Sequence, residues 1–242
     1  MRTLFRASRP RPSRPAARLL ALALAALALI ASEAAAHAVT EGDAGYIQEI
    51  WGVHLIPFAY LGAKHMVTGY DHVLFLFGVV FFLYRMKDVA LYVSLFAVGH
   101  SITMLIGVWY GIRIDAYVID AIIGFSVVYK ALDNLGAYRV WFGVQPDTRA
   151  ATLIFGLLHG LGLATKILDY RISEEGLLPN LLAFNVGVEI GQILALAAIL
   201  IAMGWWRRSE SFDRHAYTAN VVMMSLGFML TGFQITGFFI AA

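Results

Sequence analysis

Two histidines and an aspartate lie within eight residues, His65-Met66-Val67-Thr68-Gly69-Tyr70-Asp71-His72, just before the apolar run 73–83. Neutral imidazoles with a carboxylate make a borderline nitrogen and oxygen donor set that suits Zn, Ni, Co or Fe, and the carboxylate can instead orient an imidazole from behind. On one continuous helix His65 and His72 fall about 20° apart, with Thr68 on the same side and Asp71 at the edge. A plainer reading has Asp71 and His72 capping a helix start, with His65 in the wet interface. Ionisable groups at such depth in hydrocarbon are costly unless they face a cavity, a partner or an ion.

Other apolar stretches carry similar residues. His100 sits in Gly99-His100-Ser101-Ile102-Thr103, where Ser101 and Thr103 are close enough to orient the ring; an interhelical hydrogen bond is the structural alternative. Asp120 lies about a turn and a half inside its stretch and reads as a ligand, a cation relay or half of a salt bridge. His159 stands beside Gly156 and Gly160, a small-xxx-small face that lets a neighbouring helix approach closely. Asn185, Glu189 and Gln192 form a polar stripe on one side of a helix, Glu189 being either a ligand or a protonated acid bonded to its amide neighbours. His72, Asp120 and Glu189 are expected in the outer half of their spans and His100 and His159 near the middle, so that all five can face one outward-open cavity.

These residues need a scaffold, and composition says of what kind. Of 242 residues 60% are hydrophobic and 14% charged, and mean hydropathy is positive. A soluble fold of that composition would expose large apolar patches, so the reading is an all-α polytopic membrane bundle. A net charge of +2, with its basic excess at the N-terminus, gives no reason to expect a nucleic-acid partner. The chain has no cysteine, which leaves nitrogen and oxygen, with methionine sulfur, as metal donors.

Residues 1–36 have the layout of a signal peptide: Arg2, Arg6, Arg9, Arg11, Arg14 and Arg18, an apolar run over 19–30, and the small-residue site Ala34-Ala35-Ala36. Cleavage after Ala36 leaves His37 as an N-terminal residue whose α-amine and imidazole can chelate a metal; cleavage after Ala38 removes it. Residues 37–64 read as an extracytoplasmic interfacial segment with Trp51 and Tyr60, and 65–242 as the transmembrane domain. Six transmembrane helices are predicted after the cleavable signal, at about 65–84, 89–110, 114–134, 151–169, 180–204 and 219–241. The loops expected inside carry Arg85, Lys87, Lys130, Arg139, Arg149, Arg207, Arg208 and Arg214, against Lys64, Arg113, Lys166 and Arg171 outside. That bias predicts an inner-membrane protein with both mature termini extracytoplasmic.

The segments DHVLFLFGVVFFL, GHSIT, DAIIGFSVVYKALDN, FGLLHGLGLA and FNVGVEIGQ together resemble those of the HupE/UreJ membrane proteins over about residues 60–235. The resemblance implies a secondary permease for nickel or cobalt, with His65, Asp71 and His72 at the ion-binding motif and His100, Asp120, His159 and Glu189 as polar members of the others. The better-known branch has His-Pro where this chain has His65-Met66, so a helix break here comes from Gly69 or not at all. The expected partners are a divalent metal ion, the bilayer and a second copy bound through glycine-rich helix faces, with no prosthetic group. With no phosphate-binding loop in the chain, energy is left to gradients or membrane potential, which drives a divalent cation inward by about 4.6 kcal/mol per 100 mV. The alternative is a membrane metalloenzyme or metal-insertion factor that retains its ion; no His-Glu-x-x-His or Gly-x-Ser-Gly sequence points to proteolysis.

Overall fold

Glycine gives up more backbone freedom in a helix than any other residue, costing about 1 kcal/mol against alanine, and Gly69 is where the first predicted span stops being one helix. The computed structural model describes residues 51–168 and 175–241. Gly69 is extended there (φ −72°, ψ 101°) between α1 (Leu55–Thr68) and α2 (Tyr70–Val80). His65 and His72 therefore belong to two helices rather than one face of a single helix. Thr68, expected between them, is exposed and bonds back to Lys64 O at 2.8 Å. Residues 55–64, expected in an interfacial segment, are the larger part of α1.

The remaining described helices are α3 (Met86–Trp109), α4 (Ala116–Asn134), α5 (Ala137–Phe142), α6 (Thr148–Leu168), α7 (Leu177–Trp206) and α8 (Glu210–Ala241). Asp115 caps α4 by accepting from Val118 N–H, and left-handed Gly136 and Gly143 bracket the short α5. α8 begins well before its predicted start, with Glu210 and Asp213 in a first turn where the helix dipole favours negative charge. Among the described residues four helices, α3, α6, α7 and α8, are long and apolar enough to cross a membrane, which makes this a multi-pass membrane protein by helix composition. α4 has sufficient length but carries Asp120, Lys130 and Asp133. The outer faces show exposed Val98, Ile102 and Ile106 on α3 and Val186, Ile190 and Ile193 on α7, surface that lipid solvates and water does not.

Glycine sets the packing. A Cβ at Gly62 would lie 1.9 Å from Phe184 O, one at Gly187 1.9 Å from Ala59 O and one at Gly191 2.5 Å from Ala63 O, so α1 and α7 touch backbone to backbone. Gly99, Gly156 and Gly160 do the same for α3 and α6, and Gly124 and Gly227 for α4 and α8. Between membrane helices, where lipid removes the hydrophobic drive, close approach of this kind supplies dispersion and Cα–H···O contact. The glycine faces that suggested a homo-oligomer are thus occupied within the chain. α2 contacts α1, α3, α4, α7 and α8, and most of its residues, from Asp71 to Val80, are buried. It stands at the centre of three zipped pairs.

Gly187→Ala is expected to destabilise the protein by about 1–3 kcal/mol through overpacking. Gly204→Ala, where nothing lies within 4 Å, should instead gain up to about 1 kcal/mol of helix propensity. Thermal unfolding in detergent measures both; equal midpoints for the two variants would remove the zipper argument.

Candidate metal centre

The break at Gly69 turns the chain so that the last turn of α1 and the first turn of α2 face each other. The His65 and His72 ring centroids are 5.1 Å apart. α3 and α6 bring the other two rings: His72 lies 6.1 Å from His100 and 4.9 Å from His159, centroid to centroid. The α3–α6 zipper is the reason they meet, since a Cβ at Gly160, the residue after His159, would lie 2.0 Å from His100 O. His72, His100 and His159 are 3%, 0% and 1% exposed.

Hydrogen bonds assign the tautomers. Asp71 Oδ1 accepts from the His72 backbone N–H at 2.8 Å and from His72 Nδ1 at 2.9 Å, which leaves the lone pair of neutral His72 on Nε2. His159 Nδ1 donates to Phe155 O at 2.7 Å, so its lone pair is also on Nε2. Of the two roles open to Asp71, the orienting one is seen in this bond; such partners fix ring orientation and raise ligand basicity. Asp71 occupies the first turn of α2. His65 Nε2, His72 Nε2 and both ring nitrogens of His100 are buried with no hydrogen-bond partner among the described residues. Polar atoms left so in an interior cost about 1–3 kcal/mol each, and a cation that accepts the one lone pair of each neutral ring offsets part of that cost.

Two overlapping donor sets result, His65 with His72 and His100, and Asp71 with His72 and His159; in each, one donor atom per residue lies within 4.8 Å of the others. Donors about 2.1 Å from a shared ion are at most about 4.2 Å apart, a spacing of the same order. The residues present therefore suit a borderline divalent cation. Phe96, with ring centroids 5.0 Å from His159 and 6.2 Å from His72 and His100, and Phe75, 5.7 Å from His159, form an aromatic wall. Sequence reasoning passed over both, because phenylalanine in an apolar span carries no signal of its own.

Three expectations change. Asp120 is apart from both donor sets: each of its oxygens accepts from Lys166 Nζ at 2.8 Å, the salt-bridge role. Glu189 is exposed, because the buried face of α7 ends at Asn185 and Gln192 and the next position round the helix looks outward. Asn185 accepts from Ser101 Oγ at 3.2 Å and Gln192 donates to Val93 O at 3.2 Å, so neither amide serves Glu189. Thr103 Oγ bonds Gly99 O and Leu157 O rather than the His100 ring. His37 and the signal segment lie outside the described residues.

Gly69 is as much a part of this centre as the donors. A Cβ there would stand 2.6 Å from His72 Nδ1 and 3.2 Å from Asp71 Oδ1. Gly69→Ala should therefore break the Asp71–His72 bond and weaken cobalt binding by about 10–100-fold, the usual effect of losing a ligand's supporting partner. Titration of purified protein with Co²⁺, followed by visible absorption, measures it; unchanged affinity would contradict this geometry.

A family model described as HupE / UreJ protein matches residues 41–242. No curated protein and no solved structure matches the chain. The match spans every helix that supplies a donor and the whole of α8, and the chain belongs to the HupE/UreJ family.

Proposed function

We propose that this protein carries out secondary transport of a divalent transition-metal ion, nickel or cobalt by the family resemblance, through His65, Asp71, His72, His100 and His159. The observation that carries the reading is the convergence of four imidazoles from four helices, with buried nitrogens at His65, His72 and His100 that lack hydrogen-bond partners among the described residues. An imidazole-rich set with one carboxylate suits Ni²⁺ and Co²⁺ better than the hard cations Mg²⁺ and Ca²⁺. Because both donor sets contain His72, an ion can exchange its other ligands one at a time while remaining attached, which keeps each step shallow. Asp71 supplies the negative charge that offsets part of the cost of dehydrating a dication. The membrane potential supplies the direction.

Six crossings follow if α1 and α2 count as one interrupted span beside α3, α4, α6, α7 and α8. With the signal removed by export, both mature termini are then extracytoplasmic. A reporter active only in the cytoplasm, fused after Ala242, should be inactive; strong activity would overturn this topology.

Full enclosure of His100 and His159 favours one other reading, a membrane metalloenzyme or insertion factor that keeps its ion. Chelator washing separates the two. A carrier should exchange its metal, whereas a resident centre should hold it at fixed stoichiometry.

Asp71→Asn and His72→Ala are expected to reduce nickel and cobalt uptake into vesicles to near background while protein remains in the membrane. Loss of a mere helix cap would cost only about 0.5–2 kcal/mol of stability and spare uptake. Uptake is best measured as initial rates with the potential clamped. Normal rates in both variants would exclude the proposed ligands.

A further inference from the structure

The element that carries His72 is held differently from its neighbours. α1, α3, α4, α6, α7 and α8 are locked in pairs by glycine contacts to a partner's backbone or Cβ, whereas a Cβ at Gly78, the glycine within α2, would meet the side chains of Lys130 and Met223. α2 has 11 residues, about 16 Å of helix, and its first turn lies at the donor cluster. At its far end Phe81 N–H donates to Gly78 O at 3.4 Å and Leu83 N–H to Val80 O at 3.0 Å, leading into the turn that follows the helix. A single side chain from the turn after α7 gathers that end. Arg207 Nη1 donates to Leu83 O at 3.0 Å, and Nη2 donates to Phe81 O at 2.7 Å and to Val80 O. The same guanidinium lies over the Tyr84 ring, 4.7 Å from its centroid. Beside it Asn134 Nδ2 donates to Gly78 O at 2.9 Å.

We propose that Arg207 is a positioning residue for His72: its guanidinium fixes α2 along its axis from the end opposite the metal centre. The proposal rests on the metal-site reading above. A planar fork that engages three carbonyls determines both distance and rotation, which a point charge cannot do. The backbone between α1 and α2 passes through the non-helical Gly69, so a shift at the Arg207 end is passed to His72. His72 is common to both donor sets, and a small axial shift therefore disturbs both at once.

The chain has no cysteine, so spin labels at Leu74→Cys on α2 and Leu226→Cys on α8 report the placement of α2 directly. Arg207→Ala is expected to shift or broaden that distance, weaken Co²⁺ binding by about 10–100-fold and change the cobalt ligand-field bands. Arg208→Ala, a neighbouring exposed arginine, should leave all three readouts as in the parent. Arg207→Lys keeps the charge without the fork and should fall between; it also serves should the alanine variant fail to assemble. A folded Arg207 variant with the parent's label distance, or with a changed distance but the parent's cobalt spectrum and affinity, overturns the proposal. If the parent binds no cobalt, the metal-site reading fails by itself, and the label distance alone decides whether Arg207 holds α2.

Discussion

Backbone that leaves the helix inside a bilayer must have its polar groups satisfied by protein, because lipid offers neither donors nor acceptors. The interruption at Gly69 imposes that requirement at the centre of the bundle. Gly69 N–H still donates to His65 O at 2.9 Å and Val73 N–H still reaches Gly69 O at 3.1 Å, so the chain turns with few bonds lost. Gly69 itself is buried, with the exposed Val67, Thr68 and Tyr70 on either side of it. The placement of the histidines follows, since a straight helix would have put His65 and His72 a full two turns apart along its axis.

Enclosure depends in turn on how near the backbones can come. Where glycines meet carbonyls the helices close to distances that any side chain would forbid, and the polar residues next to those glycines are carried inward with them. His159 precedes Gly160, and His100 follows Gly99. Packing and chemistry therefore share one segment of sequence. Aromatic rings complete the enclosure: Phe75 and Phe96 pack at 5.4 Å between centroids and face the imidazoles, a dry wall that strengthens electrostatic interaction within.

Much of this could be read from the chain, and the exceptions have physical reasons. Helices α3, α4, α6 and α7 lie within a few residues of the expected stretches because apolar runs bounded by charge are a strong signal of length. The small-xxx-small face beside His159 identified a close contact correctly in kind, though its partner is α3 of the same chain rather than a second copy. Glu189 was misjudged because angular proximity on a helical wheel does not say where the buried arc ends; Asn185 and Gln192 lie just within it and Glu189 just beyond. Asp120 was ambiguous until Lys166 could be placed, as the two are 46 positions apart and nothing local links them. Thr68 and His65–His72 on one face presumed a continuous helix, and one glycine was enough to change the geometry.

The Asp120–Lys166 pair has a consequence for how such a chain can vary. Both groups are largely withdrawn from solvent, with side chains 8% and 13% exposed, and removing one partner of a buried pair leaves an uncompensated charge costing about 3–5 kcal/mol. Replacing both with well-packed apolar residues of similar volume is often neutral or even stabilising. The two positions therefore behave as one inherited unit: descendants of this sequence should keep both charges or neither, and a lineage that crosses from one state to the other must pass through an intermediate that folds poorly.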